Sequence, residues 1–296
     1  MSIYLPEYAG QVIMINGVCY EARAQDTHTP THTEAEITRV FGSCEACLAW
    51  EPSSEIPVEP YSSPEPEPEW TPLDLADTVL LLDTDVGITK DGGNLVSGHD
   101  DQSPSACHFA QAVGNNKPLW IGGALNGHDI LRWDGTSDYM TGCLFNTLFG
   151  DNADGTLYVV FKCDNAGGRE EAVFHAVVGN NDISILPKWT DNNAYYSWGD
   201  IGAGARAIWN SAVGSWQVGC IVRNGNVTGY VDGVQKAQVG SNNYVSPASA
   251  IIIGSFSAGA RWFDGDTAYF LMGSTAHDLA TRTLVFDYLM TRYGIV

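Results

Sequence analysis

Between Glu51 and Pro72 the chain reads EPSSEIPVEPYSSPEPEPEWTP, with proline at about every third position and glutamates between them. Proline fixes φ and withdraws a backbone donor, so this stretch can join neither a helix interior nor the middle of a sheet. Its like charges repel and favour extension. At ~3.1 Å per residue of polyproline II it would hold its ends several tens of ångströms apart; the competing reading is a loose linker. On either reading it divides the chain into a small module, residues 1–50, a linker, 51–72, and a large module, 73–296. The composition changes at the same place. Eleven of the thirteen glutamates lie in residues 1–71, and only Glu170 and Glu171 follow.

The small module reads as β. GQVIMINGVCYEA gives two short apolar runs broken by Asn16-Gly17, a strong two-residue hairpin signal. A polar, Thr-rich stretch follows, and ITRVFGSCEACLAW returns as a strand and a tight turn. Fifty residues bury little surface, so such a unit usually leans on a crosslink, a metal or a partner. In the large module, apolar runs such as TVLLLD, TLYVVFKC, WQVGCIVRNG and TAYFLMGS alternate with Asp-Gly, Gly-Asn and Asn-Asn turns. Only residues 277–296 carry helical spacing, with Leu279, Leu284, Tyr288 and Leu289 near an i, i+4 rhythm and Asp278 as a cap. The fold class expected is all-β: a two-sheet jelly-roll sandwich with a short C-terminal helix, preceded by a small β module and a Pro/Glu-rich linker.

Charge excludes one class of partner. The net charge is -21 with only 14 lysines and arginines, so no basic patch can neutralise a nucleic-acid backbone. No apolar run approaches the ~20 residues of a membrane span, so membrane insertion is not expected. The N-terminal MSIYLPEYAG has no basic or long apolar region of a signal peptide, which predicts synthesis and assembly in the cytoplasm.

The large module carries a family resemblance. LNGHDILRWDGTSDYM at 125–140, TLYVVFKCDNAGG, the pair WQVGCIVRNGNVTGYVDGVQ at 216–235, and IIIGSFSAGARWFDGDTAYFLMGSTAHDL follow in a characteristic order. Over residues 75–296 this order resembles the concanavalin A-like lectin/glucanase superfamily, in its laminin-G-like branch. The resemblance implies a jelly roll and, through the family's lectins, carbohydrate binding. It also permits a test for hydrolysis, which needs two carboxyls flanking the scissile bond. The family's glucanases carry them as Glu-x-Asp-x-Glu on one strand, sharing a face. Glu170 and Glu171 are adjacent and would point to opposite faces, and neither a Gly-x-Ser-x-Gly elbow nor His-Glu-x-x-His occurs. No catalytic residue is therefore assigned and no enzyme activity is expected.

Binding chemistry is better represented. WTDNNAYYSW concentrates Trp189, Tyr195, Tyr196 and Trp198 among Asp191, Asn192 and Asn193, the mixture a sugar-binding loop uses. The alternative is that some of these rings fill the core or an interface. Some members of the resembled family hold Ca²⁺ at the sandwich rim. Asp83 with Asp85, His99-Asp100-Asp101, Asp151 with Asp154, and Asp264 with Asp266 are the local oxygen-ligand candidates here, although Asp-Gly turns need no metal to explain them. No cofactor is assigned.

Of seven cysteines, Cys107, Cys143, Cys163 and Cys220 lie in or beside apolar runs and read as small buried hydrophobes. Cys19, Cys44 and Cys47 share the small module with His28 and His32. Zn²⁺ held by three thiolates and one imidazole is one reading, a disulfide formed after release from the cell another, and plain thiols the third. A single C-x-x-C beside solvent-like histidines favours the thiols. Residues 4–48, through YAGQVIMINGVCYEA and FGSCEACL, faintly resemble a cysteine-containing β unit of tailed-phage structural proteins. That resemblance implies a virion protein, a fibre, spike or decoration protein, exposed on the particle surface. Residues 1–50 would dock on other virion proteins. The lectin-like tip would bind host surface glycans or decorate the particle. Homo-oligomerisation is expected, with a trimer as one candidate symmetry. The alternatives are a glycan depolymerase on a tail spike and a bacterial surface lectin.

Overall fold

A computed structural model describes residues 12–15 and 18–21, and residues 70–296 except 165–169, 241–242 and 258–259. The chain divides into two compact units, Met1–Glu67 and Pro68–Val296. In the first, Val12–Ile15 pairs antiparallel with Val18–Glu21, with Ile15 opposite Val18, the register a two-residue hairpin demands. The linker as far as Glu69, the histidines His28 and His32, and the Cys44–Cys47 pair lie outside the described residues.

The second unit is the expected jelly-roll sandwich. Its first sheet has eight antiparallel strands. They run in the order Val234–Gly240, Asn226–Val231, Trp216–Arg223, Gly155–Cys163, Asp264–Gly273, His128–Asp134 and Leu119–Leu125, and Thr78–Asp83 joins Asp264–Gly273 beside them. The second sheet has nine: Arg206–Asn210, Asn193–Asp200, Asn181–Leu186, Phe174–Val178, Ala250–Ile253, Met140–Leu144, Phe109–Ala110, Val96–His99 and Ile88–Lys90.

Alternation along the strands explains the layers. In Gly155–Cys163, Leu157, Val159 and Phe161 enter the core between the sheets, while Tyr158 and Val160 enter a second core on the outer side. The C-terminal helix Leu279–Tyr293 covers that outer side with Val285, Phe286, Leu289 and Tyr293. Asp278 caps it by accepting from the Thr281 N–H, as the sequence predicts. The buried stripe is turned by about one residue, roughly 100°, from the expected one. Leu289 packs inward, Tyr288 lies at the edge with its ring 5.7 Å from Trp70, and Leu279 and Leu284 face solvent, 72% and 43% exposed. Arg292 then pins the helix end to the sheet through Asp83 and Asp85, at 2.8 and 2.7 Å.

One cysteine expectation is corrected. Cys107 and Cys143 are bonded to each other, with Cα atoms 5.1 Å apart. The adjacent strands Phe109–Ala110 and Met140–Leu144 pair at Ala110 and Thr141, which brings the two side chains together. Closing a loop of 36 residues in this way is worth about 3–5 kcal/mol in the chain-entropy account. Cys163 and Cys220 are buried thiols, as expected.

The helix contacts make a paired prediction. Leu289→Ala should cost about 2–5 kcal/mol in a urea unfolding curve, whereas Leu279→Ala should stay within ~0.5 kcal/mol. Equal losses at the two positions would contradict this burial of the helix.

Candidate functional site

The four rings singled out in the sequence do not form one site. They stand at the end of Asn181–Leu186, on the turn after it, and along Asn193–Asp200. Trp189 and Asn192 close that turn through an Asn192 N–H to Trp189 C=O bond of 3.0 Å, and Asn192 takes the left-handed φ of 65° that Asn tolerates. On the strand, successive side chains alternate. Tyr196 and Trp198 therefore point into the sandwich, 1% and 0% exposed, while Tyr195 points outward. Trp198 meets Phe145 and Phe149 edge-on and donates its indole N–H to the Tyr244 hydroxyl at 3.2 Å. It is a core residue, so the expectation of a sugar contact there is corrected. Tyr196 also belongs to the core, yet one side of it borders a cleft described below.

Trp189 and Tyr195 remain together on the outer face of the second sheet. Their ring centroids are 5.7 Å apart, tilted by 58°, and both residues are half-buried. Asp191 orients Tyr195 by accepting its hydroxyl at 2.5 Å and holds the Asn193 amide at 2.9 Å. That bond from Tyr195 lowers the pKa of Asp191. Two guanidiniums frame the rings. Arg206 lies 5.2 Å from the Tyr195 centroid, and Arg261 lies between Trp189 and Phe256, 4.7 and 4.3 Å from their centroids. Each such contact contributes ~0.5–1 kcal/mol at an exposed site. Arg261 is ion-paired with Glu170 and sits at a φ of 59°, a conformation non-glycine residues adopt uncommonly.

Beneath the rings lies a buried polar layer, built by register. His175, Ser184, Ser197 and Arg206 are directly paired across four strands and so share the outer face. Strand Ser255–Ser257 covers part of it, with Phe256 stacked on His175 at 3.7 Å. His175 Nε2 and Asp182 Oδ1 stand 3.5 Å apart and neither makes a hydrogen bond. Burial pushes His175 down to about 3 and Asp182 up to about 6, the latter partly offset by Arg206 at 3.4 Å.

The two glutamates diverge as adjacent strand residues should. Glu170 faces Arg261, whereas Glu171 is buried and accepts from Cys163 Sγ and the Asp264 N–H. The carboxylates considered for Ca²⁺ have protein partners. Asp83 and Asp85 bind Arg292, Asp154 binds Arg223, and Asp266 bridges Arg132 and Lys162 at 2.8 and 3.0 Å. Asp101 accepts three backbone N–H groups, from Leu81, Ser103 and Cys107, and Asp151 accepts one, from Ser246. Among the described residues no group of three or more His, Cys, Asp or Glu side chains could hold a metal ion. No helix among them is long and apolar enough to cross a membrane.

A cleft of about 210 Å³ that no motif in the sequence marks lies where the edges of the two sheets meet. Trp209 and Tyr196 form one wall, with ring centroids 4.4 Å apart, and Asn210, Gln217, Asp232 and Lys236 contribute polar atoms. Two glycines permit this. A Cβ at Gly219 would stand 2.4 Å from the Tyr196 hydroxyl, and one at Gly229 would stand 2.5 Å from the Trp209 ring. Period-2 alternation in RAIWN could have placed Trp209 on the inner face.

No protein-family model and no curated protein matches the sequence. Solved structures do match in fold. The botulinum neurotoxin serotype D binding domain is 12% identical with a TM-score of 0.55, over 72% of this chain and 51% of that one. A serotype D ligand binding domain in complex with N-acetylneuraminic acid is 12% identical with a TM-score of 0.55, covering 74% and 54%. Domain 4 of AbnA, an extracellular arabinanase of Geobacillus stearothermophilus, solved with arabinotriose, is 14% identical with a TM-score of 0.53, covering 71% and 98%. The chain thus spans about half the length of the neurotoxin domains and nearly all of the arabinanase domain. At these identities the likeness is one of fold.

Two measurements follow from this layout. Trp198→Ala should cost about 3–5 kcal/mol of stability, and Trp189→Ala only about 1 kcal/mol from its lost cation–π contact; both can be read from urea midpoints. Asp182 has a raised folded pKa, so between about pH 4 and 6 the unfolded chain releases this proton first and stability falls as pH rises. Asp182→Asn should therefore gain stability relative to the parent at pH 7 compared with pH 4. A difference independent of pH would refute the protonated, buried carboxyl.

Proposed function

We propose that the Pro68–Val296 unit is a saccharide-binding module that engages its ligand on the outer face of the second sheet. The observation that carries this reading is the half-exposed Trp189–Tyr195 pair, flanked by Arg206, Arg261, Glu170, Asp191 and Asn193. Sugar rings have one apolar C–H face that stacks on an aromatic ring, and their hydroxyls need both donors and acceptors. Here the rings supply the first, and guanidinium, carboxylate and amide supply the second. Structural neighbours that were solved with N-acetylneuraminic acid and with arabinotriose support the reading by analogy of fold. The activity proposed is binding without catalysis, since Glu170 and Glu171 occupy opposite environments. No reducing sugar should be released from a polysaccharide that the chain binds.

We further propose that the whole chain is a structural component of a tailed-phage particle, exposed at its surface, and that this module contacts host surface glycan. Sequence supports this placement: the resemblance of residues 4–48 to a phage structural unit, and a proline–glutamate spacer suited to projecting a tip. The Cys107–Cys143 bond is in keeping with a protein that works outside a reducing cytosol.

The test is a glycan array probed with the full chain, followed by titration of any hit. Trp189→Ala should weaken binding about tenfold or more while the unfolding midpoint changes little. Purified full chain should compete with adsorption of the phage that carries it, and antibody to the chain should label intact particles. Unaltered binding by Trp189→Ala would remove the outer face as the site, and unlabelled particles would remove the virion assignment.

A further inference from the structure

We propose that the cleft between the sheet edges is a second binding site, which takes a single neutral sugar ring as the end residue of a glycan. This rests on the saccharide reading above but uses different residues on a different part of the fold. The cleft has a closed apolar floor: Phe161, Ala194 and Val231 line it and are 1%, 3% and 8% exposed. Its volume is about 210 Å³. That is space for one six-membered ring and its substituents, and it falls below the ~300–1,000 Å³ of sites for drug-sized ligands. A floor of this kind admits a chain only by its end. The outer face, by contrast, is an open platform that an internal residue can cross.

The lining matches such a ring. Trp209 stands at the wall against Tyr196, and its indole rests on the bare backbone of Gly229, which fixes its position. The Asp232 carboxylate uses Oδ1 to accept the Val218 N–H at 2.7 Å, and its Oδ2 accepts from no described residue. Partial burial raises the pKa of this group, with Val218 and Lys236 acting in the opposite sense. An acceptor held half-buried in a cavity that Lys236 and Asn210 also line provides, with them, for hydroxyls that both donate and accept. The opposite charges of Asp232 and Lys236 give the cleft no net preference for an anion, so the ring is an uncharged one.

The nine tryptophans allow a test on the intact chain by fluorine NMR after incorporation of 5-fluorotryptophan. Trp209→Phe and Trp189→Phe assign the two relevant signals. The probes are methyl glycosides of common hexoses and pentoses and the corresponding oligosaccharides. A saturable shift of the Trp209 signal is expected with at least one methyl glycoside. Ala212→Phe, a substitution at an exposed residue of the rim, should abolish it. Asp232→Asn keeps the acceptor for Val218 and tolerates the φ of 50°, and it should weaken binding by about tenfold. A shift at Trp189 while Trp209 stays silent would overturn the cleft site and leave the platform standing. Silence at both signals would overturn both readings. A Trp209 shift that survives Ala212→Phe and Asp232→Asn would also overturn the cleft as the site.

Discussion

Strand Gly155–Cys163 is bonded to Trp216–Arg223 on one side and to Asp264–Gly273 on the other, and every residue of it except Lys162 is buried. Much of the unit depends on that double burial. A strand with two apolar faces requires a cover on each, so the first sheet needs the second sheet beneath it and the helix above it. The covers also meet polar demands. Tyr158 is buried under the helix with its hydroxyl 3.0 Å from His277 Nδ1, and His277 Nε2 reaches Asp77 at 3.2 Å. A bulge lets Asp264–Gly273 serve both layers. Tyr269 opposes Val160 while Thr267 opposes Phe161, so Ala268 is the extra residue. Ala268 and Tyr269 both pack under the helix, and the Ala268 carbonyl accepts from the backbone and the hydroxyl of Thr84.

The second sheet has only the sandwich interior to satisfy, and its other face is free to be polar. This asymmetry explains where binding chemistry can reside. His175, Asp182, Ser184 and Ser197 would be out of place on a doubly packed sheet, and they lie on the face that no helix covers. The short strand Ser255–Ser257 closes over one end of the row and buries His175, while the rings at the other end stay half open. Exposed polar chemistry and double-sided packing are thus divided by layer.

Much of this was legible in the chain itself. Apolar runs broken by Asp-Gly and Asn-Asn turns specified an antiparallel sandwich, and Asp278 marked the helix start. The ring cluster was harder because composition and alternation pull apart within one segment. WTDNNAYYSW looks like a polar loop by content, yet the period of two along Asn193–Asp200 sends Tyr196 and Trp198 inward and Tyr195 outward. The Cys107–Cys143 bond was hidden for another reason. The two residues are 36 positions apart, and only the long-range pairing of Ala110 with Thr141 brings them together. The cleft needs still more, since its wall comes from one sheet and its glycine backing from the other.

Charge bears on the kind of saccharide the proposed site would suit. Residues 68–296 hold 24 aspartates and glutamates against 12 lysines and arginines, and a polyanion approaching this unit meets repulsion over a Debye length of ~8 Å at physiological salt. A local arginine patch could overcome this only if its guanidiniums were unpaired. They are not: Arg261 is held by Glu170, and Arg206 faces Asp182. In the cleft, Lys236 lines the same cavity as Asp232 and acts by charge alone to lower the pKa of its carboxyl, which burial raises. Paired in this way, the two guanidiniums serve as fixed hydrogen-bond donors and flat stacking partners rather than as a sink for negative charge. Hydroxyl-rich neutral sugars are the ligands that the proposed site would favour on these grounds.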